Sequence, residues 1–251
     1  HEDTDGLDLT WGNAETMETM IIRIAEREGF GDVLARGVRS AAEIIGKGAE
    51  KYAYHVKGVE IYGGDPRGMM GTALSYAVSL RGGDFTSVYP VPEFRYTPQQ
   101  AEQEFGTREA VDYQATRGKG ALVKKCLLVS AVIDSLGICK VPALTIIGDF
   151  DLEKEAALTR ALTGLDISSA DMFKIGERIV NLQKLINIKL GATAADDTLP
   201  DKFLNEPIAN GPASGQRVRS LKSMVSEFYR SMEWDEDGVP TEAKLKELGI
   251  E

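Results

Sequence analysis

Residues 122–133 are apolar except for Lys124, Lys125 and Ser130. A helix built on such a run is apolar nearly all round. It can only lie at the centre of a body that covers it on every side. The periodicity on either side of it says that the cover is helical. Asn13 starts a helix with Met17, Met20, Ile21, Ile24 and Ala25 on one face, ended by Gly29. A second helix spans 32–45, with Val33, Leu34, Val38, Ala41 and Ile45 inward, and a small-residue helix covers 69–80. Thr97-Pro98-Gln99-Gln100 reads as a capping-box start. The central helix, 116–133, comes next and is followed by helices at 152–163 and 170–190. The latter starts from Ser168-x-x-Asp171, with Ile175, Ile179, Leu182, Leu185 and Ile186 inward. A helix at 217–232 turns Val218, Leu221, Val225, Phe228 and Met232 inward, and Thr241 opens a last short one. Only 54–61 reads as extended, and no strand pair is evident. The expected fold class is all-α: multihelical, with two packed helical subdomains. The Gly- and Pro-punctuated loop 63–68 divides them into 1–64 and 65–251.

A net charge of −10 argues against nucleic acid as a partner, since nothing here neutralises a run of phosphates. No apolar stretch reaches the roughly 18 residues that cross a bilayer. Two cysteines, Cys126 and Cys139, are too few for a disulfide framework, and a reducing cytoplasm is expected. The chain opens on His1 and runs straight into a motif, which reads as a piece of a longer protein.

The central run ends in Asp134-Ser135-Leu136-Gly137-Ile138-Cys139, and the chain begins with a similar pattern, Asp3-Thr4-Asp5-Gly6-Leu7-Asp8. A carboxylate can accept two parallel N–H bonds, such as the ring N–H and exocyclic amine at a pterin edge. Glycine inside the loop permits a positive φ and the close approach of a flat ring. Taken singly, Asp-x-x-Gly is also a common turn in which the acid caps its own loop. Cys126 lies in the apolar run and reads as a small core hydrophobe. Cys139 sits in a glycine turn beside Lys140; it is either a structural thiol or one ligand of an iron–sulfur cluster, which needs more cysteines than this chain has. His55 reads as a hydrogen-bonded core group.

In order along the chain stand Asp3-x-x-Gly6-Leu7-Asp8, Trp11-Gly12-Asn13, His55-Val56-Lys57-Gly58-x-Glu60, Asp65-Pro66-Arg67-Gly68 and Arg81-Gly82-Gly83. Asp134 to Lys140, Asp196-Asp197-x-Leu199-Pro200 and Tyr229-Arg230-x-Met232-x-Trp234-Asp235 follow. This series resembles the tungsten-dependent aldehyde ferredoxin oxidoreductase family, over the whole chain. The resemblance implies the family's two C-terminal helical domains, without the β-rich base domain that precedes them. It implies a tungsten (or molybdenum) held by two pterins, bound through Asp3, Gly6, Leu7 and Asp8 on one side and Asp134, Gly137, Ile138 and Cys139 on the other. Cys139 would be the fourth ligand of a [4Fe–4S] cluster whose other cysteines lie upstream. The implied reaction is oxidation of a small aldehyde to a carboxylate, with electrons passed through the cluster to ferredoxin. The implied partners are ferredoxin and the base domain, with homo-oligomers left open, and the piece alone would be inactive. Where many members carry a histidine after the Arg-Gly-Gly turn, this chain has Asp84-Phe85, so Asp84 is the candidate acid or base. That departure leaves room for another substrate, such as an aromatic acyl-CoA. A cofactor-free helical interaction module is the reading outside the enzyme class.

Overall fold

A computed structural model describes residues 4–250, apart from the side chain of Ile147. The apolar run forms one helix, Lys119–Ser135, and the other long elements are laid around it. In chain order the structure begins with α1 (Ala14–Glu26), α2 (Phe30–Leu34) and α3 (Val38–Ile45), each packed on the next. Asn13 caps α1 by accepting the Thr16 amide at 3.2 Å. The expected helix over 32–45 is broken at Gly37, whose φ of 86° leaves the helical region. The carboxylate of Glu60 takes the Val38 amide at 2.6 Å and so starts α3 afresh. The expected inner face of α1 is also wrong. Met20 is 6% exposed, but Met17 and Ile21 are 60% and 64% exposed.

The extended stretch is a hairpin, β1 (His55–Val56) antiparallel to β2 (Val59–Glu60), where no strand pair was expected. Its turn uses Lys57 and Gly58, both with positive φ. His55 is half-buried and accepts the Gly58 amide at Nδ1, 3.3 Å away. The contiguous core starts at Val56. The buried Met20, Ala41, Ala42 and Ala53 stand outside it. The loop expected to divide the chain is tied into this body: Arg67 is buried, paired with Asp65 at 2.6 Å and donating to the Glu206 carbonyl at 2.8 Å.

Beyond the hairpin come α4 (Met70–Val78), α5 (Pro92–Arg95), α6 (Pro98–Phe105), α7 (Lys119–Ser135), α8 (Glu153–Thr163), α9 (Ser169–Lys189), α10 (Asp201–Asn205), α11 (Leu221–Met232) and α12 (Glu242–Leu248). The boxes expected at Thr97 and Ser168 are both formed, and Thr241 caps α12. Helix α7 is covered by α4, α9 and α11, which accounts for its all-round apolar character. Its one buried ion, Lys119, meets the equally buried Glu93 at 2.8 Å, and Glu93 in turn accepts the Gly71 and Thr72 amides that open α4. A side chain at Gly71 would strike that carboxylate at 2.8 Å.

Helix α9 turns a different face inward from the one expected. Met172, Gly176, Val180, Asn181 and Lys184 are buried, whereas Ile175, Leu182 and Ile186 are exposed. Gly176 decides the rotation, because a Cβ there would stand 2.8 Å from the Leu128 carbonyl oxygen of α7. Lys184 completes it by pairing with Asp197 at 3.3 Å. The helix expected over 217–232 starts only at Leu221, yet all of its expected inward residues, Val218 included, are buried.

Candidate functional site

Helix α7 carries the second motif loop at its C-terminal end. Gly137 is left-handed at φ 69°, and the Ile138 amide reaches back to the Ile133 carbonyl at 3.1 Å. Ile138 packs on the core. This is the ordinary grammar of a helix stop, glycine then an apolar residue, and it explains Gly137 and Ile138 without a ligand. It does not explain Asp134 or Cys139, which are both exposed on the same turn.

Two cations converge on Asp134 Oδ2: Lys140 Nζ at 2.8 Å and Arg81 at 3.9 Å. Arg81 also holds Asp84 Oδ2 at 2.5 Å, and Lys140 donates to the Thr86 carbonyl at 2.5 Å. Asp84 closes the ring by accepting the Thr86 amide and hydroxyl at 2.8 and 2.7 Å. Thus Asp84 and Asp134, fifty residues apart in the sequence, sit in one network beside Cys139. Arg81, Thr86 and Lys140 are the members that sequence reasoning did not assign. Their signal was present in the Arg-Gly-Gly and Cys-Lys pairs, but only tertiary contact gives them a role.

The glycines fix where Asp84 stands. A Cβ on Gly82 would meet the Val56 carbonyl at 2.5 Å, and one on Gly83 the Val59 carbonyl at 2.5 Å. The turn is therefore pressed onto the hairpin, with the Gly83 amide bonded to the Val56 carbonyl at 3.1 Å. A pocket of about 460 Å³ opens between turn and hairpin, lined by Tyr62, Asp84 and Phe85 among others. A second, of about 200 Å³, lies on the other side, between Arg81, Asp134 and Ile179.

The first motif loop is held elsewhere. Asp3 lies outside the described residues. Gly6 is left-handed at φ 76°, and Leu7 donates its amide to the Thr4 carbonyl at 3.1 Å. Asp8 accepts the Thr10 amide and hydroxyl, bonds that hold its carboxyl below the ordinary value. Asp5, which the motif reading passed over, reaches the Phe30 amide at 2.5 Å and so caps α2 from 25 residues away. The contacts described for this loop run to α1 and α2, and none of them to the 134–140 turn.

Among the described residues no group of three or more His, Cys, Asp or Glu is placed to hold a metal ion. Cys139 offers a single exposed thiol, one donor of the several that an iron–sulfur cluster takes. Space beside Gly6 and Gly137 is open for a flat group, with nothing within 4 Å of a Cβ built on either. Cys126 is fully buried, and burial pushes its thiol up, as suits a core residue. No helix among the described residues is long and apolar enough to cross a membrane.

A second cluster ties the hairpin to the C-terminal body. Lys57 Nζ donates to the carbonyls of Ala77 and Ser79 and lies 2.7 Å from Asp197 Oδ1. The other oxygen of Asp197 takes Lys184 and the Tyr229 hydroxyl. Trp234 packs beside Lys184 and donates to Asn181 at 2.8 Å. All of its charges are within the protein, and it reads as a structural clamp.

Comparison with known proteins is consistent across the chain. The family described as "Aldehyde ferredoxin oxidoreductase, domains 2 & 3" matches residues 1–250. A tungsten-containing aldehyde ferredoxin oxidoreductase of Pyrococcus furiosus is 38% identical over 248 residues, 98% of this chain and 38% of that protein. The protein of the same name in Thermococcus kodakarensis is 36% identical over a similar span. An aliphatic sulfonate oxidoreductase, WOR-like subunit, of P. furiosus is 31% identical over 259 residues, 98% of this chain and 36% of that protein. The chain therefore spans less than two-fifths of these relatives. Among solved structures, the active-site complex BamBC of benzoyl coenzyme A reductase aligns with a TM-score of 0.71 at 20% identity. It covers 99% of this chain and 40% of that one, a likeness of fold.

Proposed function

Because the chain belongs to the aldehyde ferredoxin oxidoreductase family, as its second and third domains, we propose that it is the helical part of a bis-pterin oxidoreductase. That enzyme holds tungsten (or molybdenum), oxidises aldehydes to carboxylic acids and passes electrons through a [4Fe–4S] cluster to ferredoxin in the cytoplasm. In this reading residues 1–64 end the second domain and 65–251 form the third. A base domain upstream supplies the remaining cluster cysteines. The observation that carries the reading is the exposed Cys139 thiol, set on a rigid helix stop beside an Asp134 that two cations hold in place.

Asp134, Gly137 and Ile138 would face one pterin, and Asp3, Gly6, Leu7 and Asp8 the other. Cys139 would ligate the cluster. Lys140 and Arg81 orient the Asp134 carboxylate, so its geometry is set before any ligand arrives. The metal–pterin centre supplies the two-electron oxidation. Converting an aldehyde and water to a carboxylate also releases protons, and Asp84 is the side chain positioned to accept one. One of its oxygens is tied to Arg81 and the other to Thr86, which fixes the orientation of the carboxylate.

Metal, sulfide and pterin analysis of the full-length protein, with aldehyde-dependent reduction of ferredoxin, tests this. Tungsten or molybdenum, about four irons and reduced ferredoxin are expected. The 251-residue piece alone should be colourless. A brown, iron-loaded piece, or a full-length protein without pterin, overturns the reading.

A further inference from the structure

Two rings, Tyr62 and Phe85, line the pocket beside Asp84, and two more back Phe85. Phe85 stands 5.3 Å from Tyr62 and 5.1 Å from Tyr89, centroid to centroid, with Tyr76 behind it at 6.4 Å. Such spacings are those of favourable aromatic pairs, and a further ring extends the set naturally. Its volume, about 460 Å³, suits a small ligand. No Lys, Arg or His is among its lining residues, whereas Asp84 and Glu60 are. The nearby cations are taken, Arg81 by Asp84 and Lys140 by Asp134. A phosphate or carboxylate would meet no counter-charge here. Tyr76 is fully buried, and its hydroxyl has no partner among the described residues. Burial, with Tyr62 and Asp84 nearby, pushes that hydroxyl up, so it keeps its proton.

We propose that this pocket selects the substrate: an uncharged planar arene, stacked against Phe85 and flanked by Tyr62, with its reacting carbonyl toward Asp84. The preferred substrate is then an aromatic aldehyde, and the acidic lining favours release of the carboxylate once formed. The word aldehyde rests on the oxidoreductase reading. The preference for a neutral ring does not.

Two measurements on the full-length enzyme test it. The first is the ratio of kcat/KM for benzaldehyde to that for acetaldehyde, in the natural protein, in Phe85→Leu and in Tyr62→Leu. The second is binding of benzamide and of benzoate, followed by saturation-transfer NMR. The natural protein should prefer benzaldehyde and bind benzamide but not benzoate. Phe85→Leu should lower the ratio about tenfold, the loss expected when an aromatic wall is removed from a specificity pocket. Tyr62 is 62% exposed, so Tyr62→Leu should fold and keeps the test valid where Phe85→Leu does not fold. An unchanged ratio in the variants, equal benzamide binding by natural and variant proteins, or benzoate binding as tight as benzamide overturns the proposal. If no aldehyde is oxidised by the natural protein, the oxidoreductase reading falls, and benzamide binding alone decides the pocket.

Discussion

Cys139 and Cys126 are thirteen positions apart on one helix and its stop, yet their surroundings separate their chemistry. Replacing the fully buried Cys126 with alanine leaves a small cavity in the core and should cost about 1–2 kcal/mol of stability. Replacing Cys139 removes an exposed thiol and should leave the denaturation midpoint unmoved. In the full-length protein it should instead lower the iron content and abolish ferredoxin reduction. If Cys139→Ala keeps both iron and electron transfer, the ligand assignment is wrong. Lys140 offers a finer test. Lys140→Ala leaves Asp134 in place but without its nearest cation, so pterin retention should fall by about tenfold; Lys140→Arg should restore much of it. A structural role alone would show as lost helix content with no rescue by arginine. The two acids were legible in the sequence as landmarks. The network was not, because Arg81 and Asp134 meet only once α4 and α7 have packed.

At the scale of elements, the sequence spoke most clearly where a helix carries its own punctuation. The boxes at Thr97 and Ser168 and the Thr241 cap were all readable, because a cap is a local bond between residues three apart. Faces were less readable. On α9 the Ile and Leu spacing pointed one way, and the helix turned another, since Gly176 admits the α7 backbone and Lys184 finds a buried partner. Neither contact has a periodic signature. The cap of α9 also gives a pH dependence. Ser168's hydroxyl and amide hold the Asp171 carboxyl below its ordinary value. A depressed carboxylate stabilises the fold above its unfolded value, and the contribution fades as pH falls through the folded one. Asp171→Asn should therefore unfold at lower denaturant than the natural protein at neutral pH. The gap should close in acid once Asp171 of the natural protein is protonated in the folded state as well as the unfolded one. A gap that widens as pH falls would contradict the cap's charge.

For the molecule as a whole, the clamp at Asp197 matters more than any single helix. Asp197→Asn would leave the ammonium groups of Lys57 and Lys184 buried with no full counter-charge, at a cost of about 3–5 kcal/mol. Lys57→Met, which removes one of two cations and keeps an apolar stem, should cost less. Urea denaturation of the three proteins orders them, and a milder Asp197→Asn would show that the aspartate is not the keystone.

The clamp also has a temporal side. Lys57 and Asp197 are about 140 residues apart, and closing so long a loop is entropically slow. During synthesis the hairpin leaves the ribosome well before the groups that seat it. At typical elongation rates it waits on the order of ten seconds, with the Lys57 ammonium lacking its carboxylate until Asp197 arrives. The pocket beside Asp84 draws only on residues 59–62 and 83–86, so its walls emerge early and together, and the clamp that anchors the hairpin beneath them closes last.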